Sequence, residues 1–224
     1  MSYTKKRRTS VDKIYDHLYH KITMLELLPG ERISEAEIAA QFGVSRQPVR
    51  DAFSRLEVVN LLWIRPQRAT EVRRFSIRKI VKSRFVRAAV ESKVLRQAAL
   101  ACDTKGAAAL DASLEKQRVV VAARNHAAFG PLDYAFHATI CSIGKADFAF
   151  DVISAEKANV DRLCRLSLSK ENRLPELLSD HEAIVDMIKR GDAEGADRVG
   201  MEHLSHLDAT IAAVSESYAR YFEP

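Results

Sequence analysis

The sequence predicts a mainly α-helical protein in two parts: an N-terminal winged helix-turn-helix and a C-terminal all-helical bundle of about six helices. Three observations predict it. Apolar residues recur at helical spacing along almost the whole chain. Two short helical stretches flank a tight glycine turn and are followed by two β-prone runs. No strand-like alternation appears after residue 75.

In the first part, Val11, Ile14, Leu18, Ile22 and Leu25 recur at steps of three and four, one face of a helix. Residues 1–10 before it are polar and basic and read as a flexible arm. Pro29-Gly30 ends the first helix as a turn. Ser34 followed by Glu37 is a capping box for a short helix with Ile38, Ala39 and Phe42 facing inward, and Gly43 supplies the left-handed residue that closes it. Ser45 caps a third helix, with Pro48 in its first turn and Val49, Ala52, Phe53 and Leu56 inside. After Asn60, residues 61–65 and 70–73 flank the polar Pro66-Gln67-Arg68-Ala69 as a hairpin.

Beyond residue 75 the spacing predicts helices over 77–101, 105–128, 131–143, 146–169, 174–190 and 193–221. Ser76, Thr104, Asp147 and Asp192 stand near the starts, Pro131 and Pro175 fit first turns, and Gly106, Gly130, Gly144 and Gly191 fall at the breaks. The expected division is therefore an arm over 1–10, a winged helix-turn-helix over 11–74, and a helical domain over 75–224.

Charge separates the parts. Residues 1–76 hold 14 Lys and Arg against 9 Asp and Glu, whereas residues 77–224 hold 21 of each, so the net +5 of the chain lies wholly in the first third. A basic head on a neutral body fits a polyanion-binding module joined to a domain with another task, although Lys5, Lys6, Arg7 and Arg8 alone supply four of the charges. No run of about 18 apolar residues exists, so no membrane-spanning helix is expected, and the basic N-terminus lacks the apolar stretch of a secretory signal. Cys102, Cys141 and Cys164 are scattered without a CxxC pair, which excludes a disulfide framework and a thiolate zinc finger and suits a reducing cytoplasm.

The third helix carries the head's chemistry. With Val49, Phe53 and Leu56 inside, Ser45, Arg46, Gln47, Arg50 and Ser54 face out. Arg46 and Arg50 lie one turn apart, where their planar forks suit a guanine edge or a phosphate in the major groove, and the helix N-terminus offers N–H groups to a phosphate. Arg65 and Arg68 fall in or beside the wing. Two exposed arginines alone describe an ordinary solvated face. Turn, cap, arginines, hairpin and local basicity together describe a DNA-reading head.

The run Leu28-Pro29-Gly30-Glu31-Arg32-Ile33, Glu37-Ile38-Ala39, Phe42 to Ala52 (FGVSRQPVRDA) and Leu56-Glu57 resembles the DNA-binding domain of the GntR superfamily of bacterial transcription regulators, over residues 11–73. The resemblance implies that Ser45, Arg46 and Arg50 contact DNA, joined here by Gln47 and the wing's Arg68. Asn60 and Ala69 stand where such proteins usually have glycine, and Ala36 where many have arginine. Asn tolerates a left-handed backbone, whereas Ala69 at positive φ would distort the wing.

In the second part, Asp133 and His137 are four apart on one helical face, His181 lies in the stripe Leu177, Leu178, Ile184, Val185, Ile188, and His203 in the stripe Ala196, Val199, Gly200, Leu207, Ile211. Each histidine therefore points inward. A single inward histidine is commonly a core residue with one hydrogen bond, but burying all four groups unpaired would cost roughly 1–3 kcal/mol each, which favours a shared ion. Three imidazoles and a carboxylate form an N3O donor set for a divalent metal. His17, His20, His126 and His206 lack such placement and read as surface residues. Arg84 and Arg87 are three apart with Glu91 one turn further, and Arg162 pairs with Arg165; such forks can clamp a carboxylate, or Arg87 and Glu91 can form a surface ion pair.

This half is similar to the FCD ligand-binding domain of the FadR-type branch of the same superfamily. The resemblance implies that Asp133, His137, His181 and His203 hold a divalent metal, Zn, Ni or Mn, that a small carboxylate effector binds beside it, and that Arg87 reaches that pocket; Arg84, Glu91 and Arg162 are further effector candidates. The sequence thus predicts a cytoplasmic, dimeric, effector-controlled transcriptional regulator, a repressor, reading a palindromic double-stranded operator, with no catalytic residues. The alternatives are a metal-dependent hydrolase, for which no HExxH or clearly placed general base is present, and a DNA-binding protein whose metal is purely structural.

Overall fold

The computed structural model describes residues 8–171 and 173–223, without the side chains at 159, 164, 167–171, 207–210 and 213. The expected arm over 1–10 lies outside these residues up to position 7, and so do the side chains of Cys164 and Leu207. The chain forms two compact units, one running to Ser76 and taking in the segment from Tyr218, the other spanning Ile77–Ser217. Among the described residues no helix is long and apolar enough to cross a membrane.

The head contains α1 (Ser10–Thr23), β1 (Arg32–Ile33), α2 (Glu35–Phe42), α3 (Arg46–Val58), β2 (Leu62–Trp63) and β3 (Thr70–Val72). Ile14, Leu18 and Ile22 of α1 pack with Val49, Ala52, Phe53 and Leu56 of α3 in one core. Helix α1 starts earlier than predicted because Thr9 and Asp12 form a reciprocal capping box. At α2 the Ser34 hydroxyl accepts from the amides of Ala36 and Glu37, and Gly43 closes the helix at φ +63°. The hairpin is part of a three-stranded antiparallel sheet in the order β1-β3-β2; the sequence did not announce β1, which is only two residues long.

Asn60 takes φ +58°, as its side chain permits. The wing's positive φ falls on Gln67, at +58°, and not on Ala69, so the expected strain at Ala69 does not arise. The predicted domain boundary needs a correction at its other end. Helix α9 stops at Ser217, and the last residues return to the head: Phe222 bridges Phe75, Phe75 N donates to Tyr221 O at 2.8 Å, and Glu223 N donates to Phe75 O at 2.8 Å. The predicted helix over 193–221 overran because Tyr218, Tyr221 and Phe222 continue an apolar pattern that packs on the head's linker instead.

The body is a bundle of α4 (Ile77–Ala101), α5 (Thr104–Ala122), α6 (His126–Ile143), α7 (Asp147–Glu171), α8 (Leu174–Lys189) and α9 (Ala193–Ser217). Two boundaries differ from the sequence reading. Helix α5 ends six residues early, where Arg124 turns at φ +50°, and Asn125 then caps α6 by accepting from Ala128 N at 3.1 Å. Pro131 consequently lies inside α6 and not in its first turn. The core gathers Val94, Leu95, Leu110, Leu114, Phe136, Ile140, Ile153, Ile184, Val185 and Ile188.

Candidate functional site

Ser45, Arg46, Gln47 and Arg50 are all exposed on the first turns of α3, and Arg68 is exposed in the wing. Ser45 occupies the N-cap position, but its hydroxyl makes no capping bond, contrary to expectation. Pro48 is the third helical residue, so one of the two amides that a capping hydroxyl can meet has no hydrogen, and the hydroxyl does not bond the other, that of Gln47. The hydroxyl and the first-turn amides are therefore left for an outside acceptor. Arg50 Nε donates to Glu35 Oε2 at 2.8 Å, and Gln47 Nε2 donates to Asp51 Oδ1 at 2.9 Å, so both side chains are held against the head. Arg65 is turned back, stacked 4.1 Å over the Trp63 ring and paired with Glu71 Oε2 at 3.1 Å, which leaves Arg68 as the wing's outward cation.

In the body, His137 (α6), His181 (α8) and His203 (α9) converge with ligand atoms within 4.8 Å of one another, although they are remote in sequence. Asp133 joins them, its Oδ1 lying 3.7 Å from His137 Nε2 and 3.4 Å from His181 Nε2. One nitrogen of each ring is held from behind. His137 Nδ1 lies 3.2 Å from Glu91 Oε2, His181 Nδ1 2.7 Å from Gln117 Oε1, and His203 Nδ1 3.1 Å from Asp180 Oδ2. Such outer partners fix ring orientation and leave the other nitrogen to face the centre. His181 Nε2 is fully buried and makes no hydrogen bond among the described residues.

All six body helices contribute: Arg87 and Glu91 from α4, Gln117 from α5, Asp133 and His137 from α6, Lys157 from α7, Asp180 and His181 from α8, His203 from α9. Arg87 Nε donates to Glu91 Oε1 at 2.7 Å, with both side chains under a tenth exposed, so the alternative of a surface pair is set aside. Burial works against the charged form of Glu91, but Arg87 and then His137 pull its carboxyl down to about 2. Burial likewise opposes ionisation of Asp133, yet the Lys157 ammonium beside it holds its carboxyl well below the usual carboxylate range. Burial, together with His203 and His137, keeps His181 well below the ordinary histidine value and hence neutral, the form that ligates.

Beside the cluster, a cavity of about 250 Å³ is lined by Arg84, Arg87, Ala88, Met201, Leu204 and Ser205. Arg162 is buried on α7 outside that lining. Of the remaining histidines, His17 packs edge-on against Phe42 at 5.2 Å, half-buried, whereas His206 is half-exposed and lies 3.0 Å from Asp180 Oδ2. Gln117, Lys157 and Asp180 escaped the sequence reading because single polar residues on helices carry no spacing signal; only the bundle brings them to the histidines.

Comparison with known proteins matches these two parts separately. Residues 10–72 match the family described as bacterial regulatory proteins, gntR family, and residues 84–206 match the FCD domain. The chain is 30% identical over 210 residues to the HTH-type transcriptional repressor RspR of Escherichia coli K12, covering 94% of this chain and 92% of that protein. Its fold is similar to that of E. coli McbR/YncC (TM-score 0.71, 21% identity, 94% and 99% of the two chains). It is equally similar to a GntR regulator from Rhodococcus sp. RHA1 (TM-score 0.70, 23% identity, 93% and 98%). These matches describe transcriptional regulators and set aside the hydrolase alternative. The chain belongs to the GntR family of DNA-binding transcriptional regulators and carries an FCD domain.

Proposed function

We propose that the protein is a repressor that binds a palindromic operator as a homodimer and responds to a small organic acid bound at a divalent metal, Zn, Ni or Mn. The observation that carries this reading is the convergence of three imidazoles, each anchored by one nitrogen, around the buried and unbonded His181 Nε2. Asp133, His137, His181 and His203 would hold the ion, which supplies a Lewis-acidic position attractive to a carboxylate. Arg84 and Arg87 line the adjoining cavity, where a guanidinium can pair with the acid's second anionic group, and Met201 and Leu204 suit a short apolar segment. The cavity lies below the roughly 300–1,000 Å³ of drug-sized sites, which favours a small effector.

A dimer is supported by large apolar residues left exposed at helical spacing on two neighbouring helices, Ile77, Val81 and Phe85 on α4 and Phe148 and Val152 on α7, with Phe85 and Phe148 each over three-quarters exposed. Two heads then address half-sites about one DNA turn apart. The name of the E. coli relative favours repression. For the effector to act, its affinity must differ between DNA-bound and free states.

The test is a gel shift on the DNA upstream of the protein's own gene, with a panel of small mono-, di- and hydroxycarboxylic acids, using protein whose metal content has been read by X-ray fluorescence. The expected result is retardation that one acid alters only in metal-loaded protein. Retardation unaffected by every acid, with unfolding on chelation, would instead assign a structural metal.

A further inference from the structure

Lys157 has no place in the donor set above, yet it touches it. Its ammonium lies 2.8 Å from Asp133 Oδ2 and 2.8 Å from Asp161 Oδ1, and 4.8 Å from the centre of the Tyr134 ring. The Tyr134 hydroxyl donates to the other oxygen of Asp161 at 2.6 Å. The Lys157 side chain is only 15% exposed and Asp133 only 9%, so solvent screens the pair weakly. The Asp133 carboxylate is thus divided: Oδ1 faces His137 and His181, while Oδ2 is covered by a fixed positive charge.

We propose that Lys157 is a resident counter-cation that sets how strongly the histidine cluster holds a divalent ion. With no ion bound, it balances the buried Asp133 carboxylate, which would otherwise be an uncompensated charge. When an ion enters, the same ammonium repels it and draws electron density from the shared carboxylate. Asp161 moderates the effect by taking part of the Lys157 charge. The inference rests on the metal reading above and adds a positioning residue that tunes it. A site held in shape by its own lysine accepts and releases metal without collapsing.

The experiment measures Zn²⁺ affinity of the full chain by competition with a chromophoric chelator, the zinc of interest being that lost in His203→Asn. Lys157→Gln, which keeps a polar side chain and removes the charge, is expected to bind zinc at least tenfold more tightly. Asp161→Asn, which leaves the ammonium to Asp133 alone, is expected to bind it several-fold more weakly. A merely structural lysine would make both substitutions weaken zinc together. Zinc binding by the natural chain with equal or weaker binding in Lys157→Gln would overturn the Lys157 inference and leave the metal reading standing. Binding only in Lys157→Gln would support the inference at its limit and overturn the metal reading for the natural chain. Binding in neither would overturn both. Should Lys157→Gln not fold, Lys157→Met, which keeps the length of the side chain and removes its charge, takes its place: tighter zinc supports the inference, equal or weaker zinc overturns it.

Discussion

Glu91 shows how one residue joins the parts of the body site. One oxygen accepts from Arg87 and the other faces His137 Nδ1, so its charge fixes both neighbours. Removing the charge takes from the buried Arg87 guanidinium its hydrogen-bonded counter-ion, leaving only the more distant Asp133 and Asp161, and Glu91→Gln is expected to destabilise the body by about 3 kcal/mol near neutrality. The pH dependence has a definite sign. The folded-state value of about 2 lies below the ordinary 4.5, so the unfolded chain binds the proton first. The stabilisation is complete above the ordinary value and disappears as pH falls from there towards the folded value. Urea denaturation of wild type and Glu91→Gln should therefore give curves that differ most near neutrality and converge in acid; a gap that widens in acid would refute this assignment.

At the scale of elements, α3 separates stability from recognition. The Ser45 hydroxyl makes no capping bond, so Ser45→Ala should leave the thermal midpoint unchanged, where a true N-cap would lose about 1 kcal/mol. The same substitution is expected to weaken operator binding about tenfold, the loss of one hydrogen bond to a charged phosphate. A lowered midpoint without a change in the gel shift would show the reverse assignment. In the body, α9 passes against α4 at Gly200, where an added Cβ would run into the Leu95 side chain. Leu95 is buried in the core and has little room to turn, so Gly200→Ala should cost about 1–3 kcal/mol in chemical denaturation. Because His203 lies one turn further along α9, that substitution should also lower metal affinity.

Across the whole molecule, the chain passes between the units twice, once after Ser76 and again after Ser217. The returning segment is a working part of the head: Phe222 and Tyr221 are buried there, and Arg74 Nη1 donates to Arg220 O at 2.6 Å. Phe222→Ala is accordingly expected to destabilise the head and not the body, by about 3 kcal/mol. The single tryptophan, Trp63, lies in β2 and reports on the head alone. Its fluorescence transition should shift to lower denaturant while the helical signal of the body holds its midpoint. A shift of the body's transition alone would contradict the assignment of this segment.

The sequence by itself determined what is local. Helical spacing, the Gly43 turn, the Ser34 cap and the outward arginines of α3 are all set within a few residues, where backbone sterics and one amphipathic face decide the outcome. It also marked the three histidines as inward-facing, His181 and His203 by the apolar stripes they lie in, and set Asp133 on the same helical face as His137. Only the tertiary structure decided what those residues meet. The partners Gln117, Asp180 and Lys157 stand on other helices, Glu91 is turned to His137 by its bond to Arg87, and the strand-like end at Phe222 leaves the bundle for the head's linker. Contacts between distant segments depend on how six helices pack against one another, and no spacing along the chain encodes that packing.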